Sequence, residues 1–137
     1  MANLLYDLGR QKFLNGEIDW TDDTIKLLLV DTGNYTVNIA THEFHSDITA
    51  AGIEATSGAF GSKSSAAGVA GAANVVLSSV SASADECEAI IIYKEGGSSG
   101  TSPLIAYIDT ATGLPVTPNG ADITIEWDTG SDLIFKL

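Results

Sequence analysis

Apolar and polar positions alternate through much of the C-terminal half of the chain. In "DITIEWD" Ile123, Ile125 and Trp127 point one way, while Asp122, Thr124, Glu126 and Asp128 point the other. In "SDLIFKL" Leu133, Phe135 and Leu137 make a second apolar face. A period of two predicts strands with one buried side. "NVVLSSV", "CEAIIIYK" and "PLIAYID" read the same way, so five strand-like runs follow from Val75 onward. Earlier, "TIKLLLVD" (Thr24 to Asp31) is apolar on both sides, which predicts a central strand covered on both faces.

Turn chemistry separates these runs. "EGGSSGTS" reads as a flexible hairpin tip, and "GLPVTPNG" joins two prolines to Asn-Gly. "DTGS" after Trp127 reads as a hairpin loop in which Gly130 takes positive φ and Asp128 bonds to nearby amides. At the other end, Asn3 is placed to cap a short helix over residues 3–15, with Leu4, Leu5 and Leu8 on one face and Gly16 beyond the last turn. "THEFHSDI" is one helical turn or a loop. Residues 55–74, rich in Gly, Ala and Ser, read as a long surface arm or hairpin rather than compact core, or as a mobile surface loop.

At 137 residues and 45% apolar, the chain suits one domain spanning 1–137. It shows neither an internal repeat nor a linker. The expected class is mainly β, a single antiparallel sandwich or barrel. Asp and Glu number 18 against 6 Lys and Arg, a formal charge of −12. That balance disfavours nucleic acid, whose phosphates need a cationic surface, and an anionic membrane. No window approaches the roughly 18 to 20 apolar residues of a membrane span, and "MANLLYDLGRQKF" lacks a basic start followed by an apolar core; synthesis in a cytoplasm is expected. The single Cys87 has no internal disulfide partner and reads as a buried, inert thiol.

Candidate chemistry centres on Asp-Thr-Gly, which occurs at Asp31 to Gly33 and again at Asp128 to Gly130. This is how the active-site loop of an aspartic protease reads. Such a dyad needs two carboxylates about 3 Å apart sharing a proton in buried, braced loops. The second motif ends seven residues before the last residue, leaving no strand to brace it. A dimer built on Asp31 would need an apolar-apolar-Gly segment, and "IIIYKEGG" puts Tyr, Lys and Glu there. Structural turns are the expected reading. "HEFH" (His42, His45) lacks the i, i+4 spacing of a zinc helix and reads as solvated loop histidines. "DWTDD" (Asp19 to Asp23) and "DECE" (Asp85 to Glu88) could collect Ca²⁺, yet neither follows the EF-hand pattern; a capping turn and a solvated strand entry are expected. With neither a phosphate-cradling Gly loop nor a Gly-x-Ser-x-Gly elbow, no catalytic residue, metal or cofactor is expected.

The opening "LLYDLGRQKFLNGEIDWTDDTIKLLLVDTGNYTVN" resembles the start of small virion proteins of tailed bacteriophages, which run through a short helix, "FL-G-I-W", "DTIK" and "LVDT". The closing "LIAYIDTATGLPVTPNGADITIEWDTG" with its apolar last strand resembles them too. These motifs are structural rather than chemical. The resemblance implies a non-enzymatic head decoration (cement) protein of jelly-roll-like architecture, made in the bacterial cytoplasm. It would sit on the outer capsid surface, most simply as trimers, and bind the major capsid protein lattice. A tail or head-tail adaptor protein is the alternative, followed by a carbohydrate-binding virion module and an aspartic-type protease using Asp31. On the cement reading the arm contacts a neighbour, and removing residues 57–72 leaves a folded protein that no longer binds capsids.

Overall fold

The computed structural model describes residues 3–137. It is mainly β, with antiparallel sheets and one short helix. In chain order the elements are β1 (Leu4–Leu5), α1 (Asp7–Leu14), β2 (Ile25–Val30), β3 (Ile53–Thr56), β4 (Ser64–Ala66) and β5 (Val69–Gly71). They continue with β6 (Val75–Leu77), β7 (Ala89–Lys94), β8 (Leu104–Ile108), β9 (Ile123–Ile125) and β10 (Phe135–Lys136). Three sheets result: a five-stranded sheet β1-β8-β7-β2-β3, a three-stranded sheet β10-β5-β4 and the pair β6-β9.

The run "IKLLLV" becomes β2, an inner strand between β7 and β3, as a doubly apolar sequence requires. Its side chains alternate between two cores. Ile25, Leu27 and Leu29 join Ile90 and Ile92 on one face; Leu28 and Val30 join Ala89, Ile91 and Tyr93 on the other. Two bulges modulate the alternation. Tyr93 faces Leu104 while Ile92 faces Ala106, so Ile105 is the extra residue and packs in the same core as Ala106. Likewise Val30 faces Ile53 while Leu29 faces Ala55, leaving Glu54 as the extra residue in β3.

The first core is closed by Trp20, Phe60 and side chains of the two smaller sheets, including Ala70, Val75, Leu77, Ile123 and Phe135. An aromatic chain binds it. Trp20 meets Phe60 and Phe135 edge-on at 6.0 and 5.2 Å between ring centroids, and Phe13 and Trp127 extend the contact at each end. The second core is closed by Tyr6, Tyr35 and Ile48, which arrive on the connection between β2 and β3 and on the N-terminal segment.

Helix α1 is shorter than the expected 3–15. Leu4 and Leu5 pair with Tyr107 and Ala106 as β1, because β8 offers an open edge there. Asn3 caps nothing in the helix. Its side-chain oxygen accepts the amides of Asp109 and Thr110, and its amide donates to the Thr110 carbonyl. The C-terminus follows expectation: Gly16 has φ +74°, with Gly16 N–H bonded to Phe13 O and Glu17 N–H to Lys12 O, the paired bonds of a Schellman motif.

Residues 55–74 fold back onto the domain. The amides of Ser57 and Phe60 bond to the carbonyls of Leu27 and Ile25, extending the β3 edge, and β4-β5 then form a hairpin that β10 joins. Phe60 and Ala70 are buried in the first core. Removing 57–72 would therefore open that core, and the expectation that the remainder stays folded is withdrawn. The C-terminal hairpin is also corrected. β9 pairs with β6 and β10 with β5, so the loop between them crosses from one small sheet to the other. The positive φ in that stretch belongs to Leu133, at +44°, rather than to Gly130.

Candidate functional site

Both Asp-Thr-Gly segments are closed turns. Asp31 ends β2 and is 7% exposed; its Oδ1 accepts Gly33 N–H at 2.7 Å and its Oδ2 accepts the Asn34 side-chain amide at 2.7 Å. Asp128 is exposed, and its Oδ1 accepts Gly130 N–H at 3.2 Å. The glycine makes room for the carboxylate in the same way twice. A Cβ on Gly33 or Gly130 would lie 3.0 Å from a carboxylate oxygen of the aspartate two residues earlier. Asp31 lies near the carboxylates of Glu54, in the β2-β3 bulge, and Asp85, on the connection before β7, whereas Asp128 lines a groove with Trp127 and Thr112. No contact among the described residues joins the two into a carboxylate dyad.

Sequence spacing hid one grouping. One carboxylate oxygen each from Asp31, Glu54 and Asp85 fall within 4.8 Å of one another, the only such metal-spaced group of three among the described residues. Glu54 reaches Asp31 because it is the bulge residue opposite the end of β2. Its signal in sequence is faint, since only the strand register reveals it. Glu54 Oε2 also accepts Asp85 N–H at 3.1 Å, and Glu88 Oε2 accepts Thr32 N–H at 3.0 Å. Oxygen ligands of this kind suit a hard cation such as Ca²⁺. Here Asp31 and Glu54 already serve as acceptors, Asp31 for Gly33 N–H and the Asn34 side chain and Glu54 for Asp85 N–H.

The two histidines are half-buried against tyrosines, which corrects their reading as solvated loop residues. His42 Nδ1 accepts Asn38 N–H at 3.3 Å and lies 2.7 Å from Tyr35 Oη, which is 3.0 Å from Tyr6 Oη. With Nδ1 as acceptor, Tyr35 donates to His42 and Tyr6 donates to Tyr35. Burial, and then the bond it donates, push the Tyr6 hydroxyl above its ordinary range. His45 turns away and stands edge-on to Tyr93, with ring centroids 5.1 Å apart. "THEFHSDI" forms a 3-10 turn over His45–Asp47, and Asp47 accepts the amides of Glu43 and Phe44.

The other candidates keep structural roles. Asp19 accepts the Thr21 hydroxyl and the amides of Thr21 and Asp22; these bonds hold its carboxyl below the usual range. Asp23 accepts Asp19 N–H. Cys87 is buried, with its Sγ 3.4 Å from the Asp85 carbonyl, and burial followed by the neighbouring carboxylates pushes the thiol up to about 12. A thiol so placed is a poor nucleophile.

Among several surface grooves, one has a volume of about 770 Å³. One wall is Ile108 to Thr112 with Asn3, the other is Thr124 to Thr129 with Leu133 and Ile134. Trp127 is fixed in it by an Nε1–H bond to the Ala73 carbonyl at 3.0 Å. No helix among the described residues is long and apolar enough to cross a membrane. No protein-family model matches the chain, and no curated protein matches it either.

Proposed function

We propose that this is a non-enzymatic structural protein of a tailed-phage virion, a decoration (cement) protein binding the major capsid protein lattice from outside. The observation that carries the reading is the joining of the two stretches that bear the resemblance. Asn3 ties to Asp109 and Thr110, β1 pairs with β8, and Phe13 and Trp20 pack on Phe135. The two ends of the chain thus make one scaffold, which fits motifs that are structural rather than chemical. A jelly-roll-like two-layer arrangement belongs to the same reading, supported by the smaller sheets packing on one face of the larger. The absence of an enzymatic role is also proposed, and is supported by Asp31 and Asp128 each being engaged by its own turn.

The proposed mechanism is mass action. A protomer that binds only the assembled, expanded shell stabilises that shell by its binding free energy, summed over many copies. Trimers at lattice three-fold positions are the proposed assembly. Leu14 and Leu137, 78% and 52% exposed, are apolar surface available for such contacts. The acidic balance makes nucleic acid and anionic membrane poor partners.

The test is to mix the purified protein with expanded capsids and with isolated tails and sediment each. Saturable binding to capsids, with a rise in capsid melting temperature, is expected. Binding to tails alone would replace the lattice role with a tail or head-tail adaptor role, and binding to neither would end the virion reading.

A further inference from the structure

In the groove between residues 108–112 and 124–134, β9 shows one edge without a strand partner among the described residues. The pairing of β9 with β6 sets Ile125 opposite Val75 and Ile123 opposite Leu77. Beyond β9, Trp127 N–H continues toward the same side, donating to the Asn74 side chain at 3.4 Å. Backbone groups alternate along an antiparallel strand, so those of Thr124 and Glu126, two residues that line the groove, face away from β6. Both residues are exposed. An open edge of this kind is a template for another strand.

The charge of the rim selects the guest. Glu126 and Asp128 line the groove, and neither is ion-paired among the described residues. Of the six cations, Arg10, Lys12, Lys26 and Lys94 are paired with Asp7, Glu17 and Glu43, Glu95, and Asp23 respectively, and Lys63 donates to the Asp23 carbonyl; Lys136, exposed beside the adjoining groove, is the one whose side chain has no acidic or carbonyl partner among the described residues, and it does not line this groove. Trp127 adds a flat, half-buried surface beside the edge. We infer that the groove binds an extended, lysine- or arginine-bearing segment of a partner protein, which adds as a strand to the free edge of β9 with its cations over Glu126 and Asp128. The groove would take such a segment whether or not the protein belongs to a virion.

The probe is an acetylated, amidated eight-residue peptide alternating lysine with valine, titrated into the isotope-labelled full chain. Saturable shifts centred on the amides of Thr124 and Glu126 are expected, weakening as salt screens the rim charges. In the variant E126K, whose change is on an exposed side chain outside the Asp128 turn, affinity should fall about tenfold or more, with unchanged melting as the control for folding. A peptide N-methylated at alternate residues should also bind about tenfold more weakly, because strand addition needs its backbone donors. Failure of the lysine peptide to bind would overturn the inference. So would equal binding of a glutamate-for-lysine peptide, or indifference to both the charge reversal and N-methylation. Concentration-dependent shifts of Thr124 and Glu126 without peptide would instead assign the edge to a second copy of this chain, and would equally overturn it.

Discussion

Replacing Trp20 should reveal whether residues 55–74 belong to the core or merely lie on it. The indole is 5% exposed, meets Phe60 and Phe135 edge-on, and donates from Nε1 to the Gly71 carbonyl at 3.0 Å. Three of its contacts therefore lead to the hairpin segment or to β10, which pairs with it. Trp20→Ala removes a large buried ring and should cost about 4 kcal/mol, within the range for such truncations. Trp20→Phe keeps a ring but leaves the Gly71 carbonyl without this donor, and should cost about 2 kcal/mol. Against a total stability of roughly 5–15 kcal/mol, the alanine variant remains folded but visibly weakened. Urea unfolding followed by far-ultraviolet circular dichroism measures both, and an unchanged slope for Trp20→Phe would show that the folded and unfolded states keep their compactness. Combining Trp20→Phe with Phe60→Leu should give a non-additive term of about 0.5 kcal/mol or more, since the two rings touch. A loss below about 1 kcal/mol for Trp20→Ala would refute the packing argument and restore a detachable arm.

Gly9→Ala should destabilise by about 1–3 kcal/mol despite alanine's better helix propensity, because its Cβ would overlap the Leu104 carbonyl where α1 crosses β8; a thermal melt settles the sign. Asp31→Ala should cost about 1–2 kcal/mol through loss of the turn bonds, whereas Asp31→Asn should be near neutral because it keeps an acceptor for Gly33 and removes a charge facing Glu54 and Asp85; paired urea melts separate the two. Neither Asp31 variant should alter any peptidase rate in the preparation, and loss of a measurable rate in Asp31→Asn would overturn the non-enzymatic reading. The Asp47 carboxyl is held below its ordinary 3.8 by the amides of Phe44 and Glu43, so its contribution is present above about pH 4 and is lost as pH falls through the lower folded value. An acid titration of Asp47→Asn should accordingly show a shallower loss of stability below pH 4 than the parent chain.

The sequence disclosed what depends on local periodicity. The run at Ile25–Val30, apolar on both sides except for Lys26, reads as an inner strand and is one, and each of the five later runs contains a strand. Gly16 marked the helix end because only the residue after the last turn needs positive φ. Partner choice was hidden. Ile123 to Ile125 and Phe135 to Lys136 look like neighbours in a hairpin, yet their partners are Val75 to Leu77 and Val69 to Ala70, since long-range packing on Trp20 and Phe60 decides the pairing. The Gly/Ala/Ser stretch looked unable to support a core because its own side chains are small. It does so through Phe60, Ala70 and its carbonyls, which accept from indoles far away in the chain. Of the candidate sites, the turn roles of the aspartates were readable from the tripeptide itself. Glu54 meeting Asp31, and the alignment of Tyr6, Tyr35 and His42, depend on register and tertiary approach that no local pattern encodes.

The protein has two tryptophans, and both indoles donate to one short stretch, Trp20 to the Gly71 carbonyl and Trp127 to that of Ala73. Its intrinsic fluorescence is therefore a local gauge rather than a molecular average. Lifting residues 71–73 would disturb both emitters together, while occupation of the groove would reach Trp127 and leave the sealed Trp20 unchanged. Spectral separation of one emitter from the other would thus distinguish a guest in the groove from loosening of the domain, with no label attached.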